Sequence, residues 1–238
     1  MNTLEPIIEC MLNPFLSAQR EAPNFVNTDR IKAVKIFHQS LPGYRVTPLV
    51  ELEALAARLG INSLMIKDES QRFELKAFKV LGASYAIAKE IKRQLGLNNE
   101  EITFNAITAH DNVLKSLTFV TATDGNHGRA VAWCAEKFGC KAVVFMPRGT
   151  SASRLETIQS YGARAEITEL NYDETVVFAA QQATENNWIL LQDTSWEGYK
   201  TIPRHIMQGY FGLVSEFEDQ TMTWPTHVLA QAGVGSFA

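Results

Sequence analysis

The chain has 238 residues, 46% of them hydrophobic and 20% charged, with a formal net charge of −4 and an isoelectric point near 5.8, which is ample apolar material for one large domain or two small ones. The acidic balance and the lack of a basic run exclude a broad positive field for nucleic acid or anionic lipid, so small molecules are the expected partners. No stretch reaches the roughly 18 uninterrupted apolar residues of a membrane span, and the opening MNTLEPIIEC is acidic where a secretory peptide starts basic; the expected location is cytoplasmic.

In chain order, SLMIKDE (63–69) reads as a strand, and KAFKVLGASYAIAKEIKRQL (76–95) places apolar residues at helical intervals. The following NNEEITFNAITAHDNV reads as a surface connection. From about residue 118, short β-rich runs alternate with helical stretches: LTFVTA, a helix over 127–138, KAVVFMP, a helix over 151–161, AEIT, a helix over 172–186, and WILLQD. Such alternation predicts parallel strands joined by right-handed crossovers. Gly139 and Gly162 fall just past helix ends, and Ser153 with Glu156 has capping-box spacing. A long helix is expected over 196–218, then a buried strand THVLAQA (226–232). The chain stops directly after QAGVGSFA, where a helix should follow a glycine-rich turn, so a fragment or truncated product with one incomplete domain is expected. There is no internal repeat or low-complexity segment.

Several residues carry candidate chemistry beside a plainer reading. Cys10, Cys134 and Cys140 lack CxxC spacing and read as buried thiols, with no metal site. Gly233, Gly235 and Ser236 could cradle an anion with backbone N–H groups and a hydroxyl, or make an ordinary tight turn. Lys79 lies among Phe78, Val80 and Leu81, a setting that partly desolvates an ammonium as a covalent lysine requires, or lets it snorkel to water. Asp124 and Asn126 follow a strand at the edge where open α/β sheets bind ligands, and both are also preferred helix caps. His127 reads as a packed or capping side chain, and Asp193 as an acid at a strand end or a cap for a helix beginning near Trp196.

Together these parts suit a pyridoxal phosphate site, and the sequence resembles the tryptophan-synthase-β-like, fold-type-II group of pyridoxal-phosphate enzymes. The resemblance rests on TPL (47–49), KDES (67–70), AFKVLGAS (77–84), the GNHG turn and the GVGS loop. Within that group it is most similar to the diaminopropionate ammonia-lyase family, through RF (72–73), TDGNHGRAVAW (123–133), VVFMPRG (143–149), QDTSWEGY (192–199) and IMQGY (206–210). Relatives acting on serine or threonine usually carry a small residue at the position of Asp124.

The resemblance implies an α/β architecture of two three-layer αβα domains with mainly parallel sheets, the small one over 81–192 and the large one from 1–80 and 193–238, incomplete here. It implies pyridoxal 5'-phosphate as cofactor, bound by Lys79, Phe78, Asn126, Gly233, Val234, Gly235 and Ser236. Its reaction is elimination from 2,3-diaminopropionate of either configuration to pyruvate and ammonia, in a homodimer. Removal of the α-proton needs a base on whichever face bears it, and the resemblance assigns Lys79 to one isomer and Asp124 to the other. Asp193 lies near the substrate amine in this picture. Asp124, Asp193 and Lys79 all stand open as proton donors to the leaving amine. A serine or threonine dehydratase on the same fold and an inactive truncated fragment are the alternatives. Glu74 stands where the resemblance leads to an expected glycine, so a positive φ there would be costly.

Overall fold

The computed structural model describes residues 23–97 and 102–237; Cys10 and the acidic opening lie outside them. In the first half, α1 (Thr28–Ser40), β1 (Leu49–Glu51), α2 (Glu53–Leu59) and β2 (Met65–Lys67) precede α3 (Lys79–Gln94), α4 (Phe104–Thr108) and α5 (Asp111–Leu114). The alternating half follows as β3 (Thr118–Ala122), α6 (Asn126–Phe138), β4 (Lys141–Met146), α7 (Ala152–Gln159), β5 (Arg164–Ile167), α8 (Tyr172–Glu185), β6 (Ile189–Leu190) and α9 (Thr201–Gln220).

Strands rich in Val, Phe and Ile on both faces belong inside a parallel sheet covered by helices. The four strands from β3 onward pair in parallel in the order β5-β4-β3-β6. Phe119, Ala142, Val144 and Met146 join one core with α3 and α6, while Val120, Ala122, Val143 and Phe145 meet Ala179 and Ala183 of α8 in another. This produces three layers and the expected α/β class. The chain runs from β3 outward to β5 and then crosses back through α8 to place β6 on the other side of β3. At such a reversal the loops leaving adjacent strands diverge to opposite faces, and a crevice opens beyond their carboxyl ends.

The remaining sheet is a two-stranded antiparallel ladder of β1 and β2, so SLMIKDE supplies only a three-residue strand. Gly139 and Gly162 take left-handed conformations, at φ 75° and 74°, as the helix-end reading expected. Four expectations differ from the structure. THVLAQA forms no strand: no described strand lies alongside to complete a ladder, and Val228 and Leu229 are almost fully exposed. The described part of the supposed connection over 98–113 contains α4 and the start of α5, which bury Ile107 and stack Phe104 on Phe138. Ser153 is the second residue of α7, whose cap position is Ser151, so the capping box fails there; one forms instead at Asn171 and Glu174 of α8. Glu74 escapes strain because the positive φ angles of its turn fall on Phe73 (48°) and Lys76 (52°).

The three-layer unit is joined to α9 and α1 through a close helix crossing. A Cβ at Gly209 would collide with the carbonyl oxygen of Leu81 and stand 2.8 Å from the Cα of Gly82. A Cβ at Gly82 would lie 2.7 to 2.8 Å from Tyr210 and Ile206 side-chain atoms. Thus α3 and α9 touch backbone to backbone. His38 of α1 fills the space that the missing side chain of Gly212 leaves, and its Nε2 donates to the Leu81 carbonyl at 3.0 Å. Burial pushes its pKa down to about 4, so the ring is neutral.

A buried ionic network joins α9 to the β1–β2 end. Arg72, fully buried, donates to Glu216 from Nη1 at 2.6 Å and Nη2 at 2.8 Å, and to Glu69 from Nε and Nη2 at 2.8 Å. Lys67 Nζ lies 2.7 Å from Glu216 Oε2, and Tyr44 Oη donates to Glu216 Oε1 at 2.7 Å. Two cations thus neutralise two carboxylates. Burial acts to raise the pKa of Glu216, but the Arg72, Lys67 and Tyr44 donors outweigh it and hold the carboxyl at about 2.

Gly209→Ala is expected to lower stability by about 1–3 kcal/mol through overpacking against backbone that has no rotamer to yield, as seen in urea unfolding. Glu216→Gln is expected to cost ~3–5 kcal/mol at neutral pH because Arg72 and Lys67 are left to share the one carboxylate of Glu69 in a buried setting. The folded pKa of Glu216 is depressed from 4.5 to about 2, so its contribution is complete above the unfolded value. The stability gap between wild type and Glu216→Gln should therefore shrink as pH falls through that interval.

Candidate active site

The crevice beyond β3 and β6 opens into a cleft of about 680 Å³ lined by Phe78, Lys79, Asp124, Asn126, Asp193 and residues Gly233 to Phe237. That volume lies within the range of small-molecule sites, about 300–1,000 Å³. Every site residue expected from the sequence therefore lies on one cavity, though Lys79 and Gly233 are 154 positions apart.

Each wall has a local cause. Lys79 opens α3, and its Nζ lies 5.7 Å from the Phe78 ring centroid and 5.9 Å from that of Tyr210. The amine donates to Asp193 Oδ2 at 2.8 Å. Asp193 is buried and caps no helix, since α9 begins only at Thr201. Its loop is held by the motif around it. Gln192 Oε1 accepts from Ala122 N and Thr121 Oγ1, each at 3.0 Å, tying the ends of β6 and β3 together. Tyr199, stacked on Trp196 at 4.4 Å, accepts from Gln192 N at 2.8 Å and donates to Leu190 O at 2.9 Å.

The β3–α6 turn separates the capping reading of Asp124 and Asn126 from the chemical one. Thr123 Oγ1 accepts from the N–H groups of Gly125 at 3.0 Å and Gly128 at 3.2 Å, so it performs the cap. Asp124 and Asn126 are left exposed on the cleft wall. Arg154 of α7 donates from Nη1 to the Asp124 carbonyl at 2.8 Å, which fixes the outer side of the turn. His127 is buried, with Nε2 2.8 Å from the Leu191 carbonyl and Nδ1 3.8 Å from Asp193 Oδ2. It is a packed side chain, as expected, and it also anchors the β3 loop to the β6 loop. Burial works to raise the pKa of Asp193, and the nearby His127 and Lys79 overcome this and keep the carboxyl below the usual carboxylate range. Asp193 is therefore an anion at neutral pH.

The glycine turn is held by its neighbour Phe237, whose ring packs 4.3 Å from Phe78 and 5.6 Å from Tyr210. Gly235 has φ 86°, a conformation that the missing Cβ permits. Ser236 Oγ is buried and has no hydrogen-bond partner among the described residues. Sequence reading missed Thr123, Arg154 and Phe237. A threonine two residues before a glycine is a turn signal that marks the first, and an aromatic directly after GVGS marks the last; Arg154, 30 residues from Asp124, has no local signature.

Residues 40–238 match the family model described as pyridoxal-phosphate dependent enzyme, and the chain belongs to that family. Among known proteins, it is similar to the diaminopropionate ammonia-lyase of Salmonella typhimurium, 50% identical over 211 residues, covering 86% of this chain and 52% of the relative. It is also similar to that of Escherichia coli, 43% identical over 221 residues, covering 92% of this chain and 55% of the relative. The crystal structure of the Escherichia coli enzyme in complex with D-serine superposes with a TM-score of 0.87 at 43% identity, over 91% of this chain and 56% of that one. The chain spans about half the length of the curated relatives it matches.

The cleft suits the family's cofactor. An aldehyde needs an amine, which Lys79 presents, and a phosphate needs convergent donors, for which the 233–236 turn has a glycine backbone and a buried hydroxyl without an acceptor.

Thr123→Val should lower stability by about 1 kcal/mol and Thr123→Ser should restore it, as for a lost and regained helix cap. Asp124→Ala and Asn126→Ala should leave the thermal midpoint nearly unchanged. A large loss in either would return those residues to a capping role.

Proposed function

We propose that the protein containing this chain eliminates ammonia from 2,3-diaminopropionate, in either configuration, with pyridoxal phosphate as cofactor, and that water then converts the aminoacrylate product to pyruvate and a second ammonia. The observation that carries this reading is the meeting of a lysine amine, two carboxylates and a glycine turn on one cleft. The similarity to diaminopropionate ammonia-lyases over most of the chain supports it. The reading includes a partition into a small domain over 81–192, which contains the parallel sheet, and a larger one to which 1–80 and 193–238 contribute.

When bound, the cofactor supplies an electron sink for the charge left by the departing α-proton. Lys79 Nζ is the covalent attachment point, and Asp193 orients it through the 2.8 Å hydrogen bond. Asn126 would hold the ring and the 233–236 turn would hold its phosphate. The enantiomers present the α-proton on opposite faces, so one base cannot serve both. Lys79 Nζ takes it from one and the Asp124 carboxylate from the other. Asp193 remains ionised while Lys79 and His127 stay beside it, which makes it an acceptor for cationic nitrogen and a poor proton donor. This argues for Asp124 or the freed Lys79 as the acid that protonates the leaving amine.

In the full-length protein, Lys79→Ala should abolish the visible absorbance of lysine-bound pyridoxal phosphate. Equal absorbance in the mutant would defeat the lysine assignment. Asp124→Ala should lower pyruvate formation from one enantiomer by about 10²-fold or more and affect the other much less. Serine serves as the control substrate: if it is turned over faster than diaminopropionate, the dehydratase reading replaces this one.

A further inference from the structure

Two buried hydroxyl groups next to the cleft lack partners among the described residues. Tyr210 of α9 is 4% exposed and Ser236 is 9% exposed. The tyrosine hydroxyl adjoins Ser236, but neither Tyr210 Oη nor Ser236 Oγ has a hydrogen bond of sound geometry among the described residues. An unsatisfied buried hydroxyl costs about 1–3 kcal/mol, so two together at the edge of a cavity need a reason.

Counting protons supplies one. Each hydroxyl carries one donor proton and can accept. A single hydrogen bond between them uses one proton and leaves the other needing an acceptor. Ser236 lines the cleft whereas Tyr210 lies behind it, so the free proton is the serine's, and it points toward whatever occupies the turn. Donors without a protein acceptor suit a group that only accepts, and an anionic oxygen is such a group.

We propose that Tyr210 is a positioning residue of the phosphate site: its hydroxyl donates to Ser236 Oγ, which directs the serine proton to a phosphate oxygen of the bound cofactor. This rests on the pyridoxal phosphate reading above and adds to it a residue one layer behind the turn. The ring is fixed for the task. It packs edge-on to Phe78 at 5.2 Å and to Phe237 at 5.6 Å, and the absent side chain of Gly82 makes room for it. Burial and the Asp193 charge hold the phenol above its ordinary pKa, so it keeps the proton it must donate.

The test compares pyridoxal phosphate with pyridoxal, which lacks the phosphate, as ligands of the apo full-length protein, with dissociation constants from absorbance titration. Tyr210→Phe keeps the ring contacts and should weaken pyridoxal phosphate by roughly fivefold, the size of one hydrogen bond, with pyridoxal unchanged. Ser236→Ala should weaken the phosphorylated ligand at least as much, and Tyr210→Phe added to it should have no further effect. Equal weakening of both ligands by Tyr210→Phe would mark a merely structural residue and overturn the proposal. So would an undiminished preference for the phosphorylated form, or independent effects of the two substitutions. If wild type shows no preference for the phosphorylated form, the phosphate assignment of the turn falls, and this inference with it.

Discussion

The crossing of α3 on α9 at Gly82 and Gly209 is the contact from which the site's geometry follows. With backbones this close, the start of α3 and the middle of α9 act as one rigid body, because a van der Waals contact between main chains has no side-chain rotamer to relax. Lys79 lies three residues before Gly82 and Tyr210 directly follows Gly209, so the amine and the aromatic behind the glycine turn inherit their separation from that crossing. The Leu81 carbonyl at the same point receives His38, which draws α1 in. A larger residue at either glycine would therefore move the lysine as well as loosen the core.

Charge burial sets the second constraint, in two places of different design. Around Arg72, two cations and two carboxylates satisfy one another with almost no exposed surface. The result is a clamp with no free valence for a ligand. Around Asp193, one buried carboxylate faces Lys79 on the cleft wall and the unpartnered Nδ1 of His127, so its surroundings change whenever Lys79 takes another partner. The first arrangement suits a joint and the second a site. TPL, KDES and RF, quoted from the sequence as signs of family, are explained largely by the clamp: Thr47, Lys67, Glu69 and Arg72 all belong to it.

The parallel sheet was legible because strands covered on both faces leave nearly continuous apolar runs, and the helices between them carry a 3.6-residue period. The long-range gathering of Lys79, Asp124, Asp193 and the glycine turn was legible only through motif combination and resemblance, since no local signal links residues over 100 positions apart. What failed depended on tertiary context. THVLAQA has strand composition, but a strand exists only beside a partner. Ser153 and Glu156 have the spacing of a capping box, but the chain enters α7 two residues earlier. Of the two readings weighed for Asp193, the cap does not form, because α9 begins only at Thr201 and the carboxylate meets Lys79 from another part of the chain.

The two cleft carboxylates illustrate how environment divides labour between identical groups. Asp193 is buried, bonded to an amine and held in its anionic form; its charge serves to hold and orient. Asp124 is exposed at the tip of a turn whose backbone is pinned by Thr123 on one side and Arg154 on the other. Its carboxylate is left out of the helix cap and stands exposed on the cleft wall. Assigning the cap to the threonine hydroxyl leaves the aspartate side chain outside the hydrogen bonding of the helix end while its backbone stays in place.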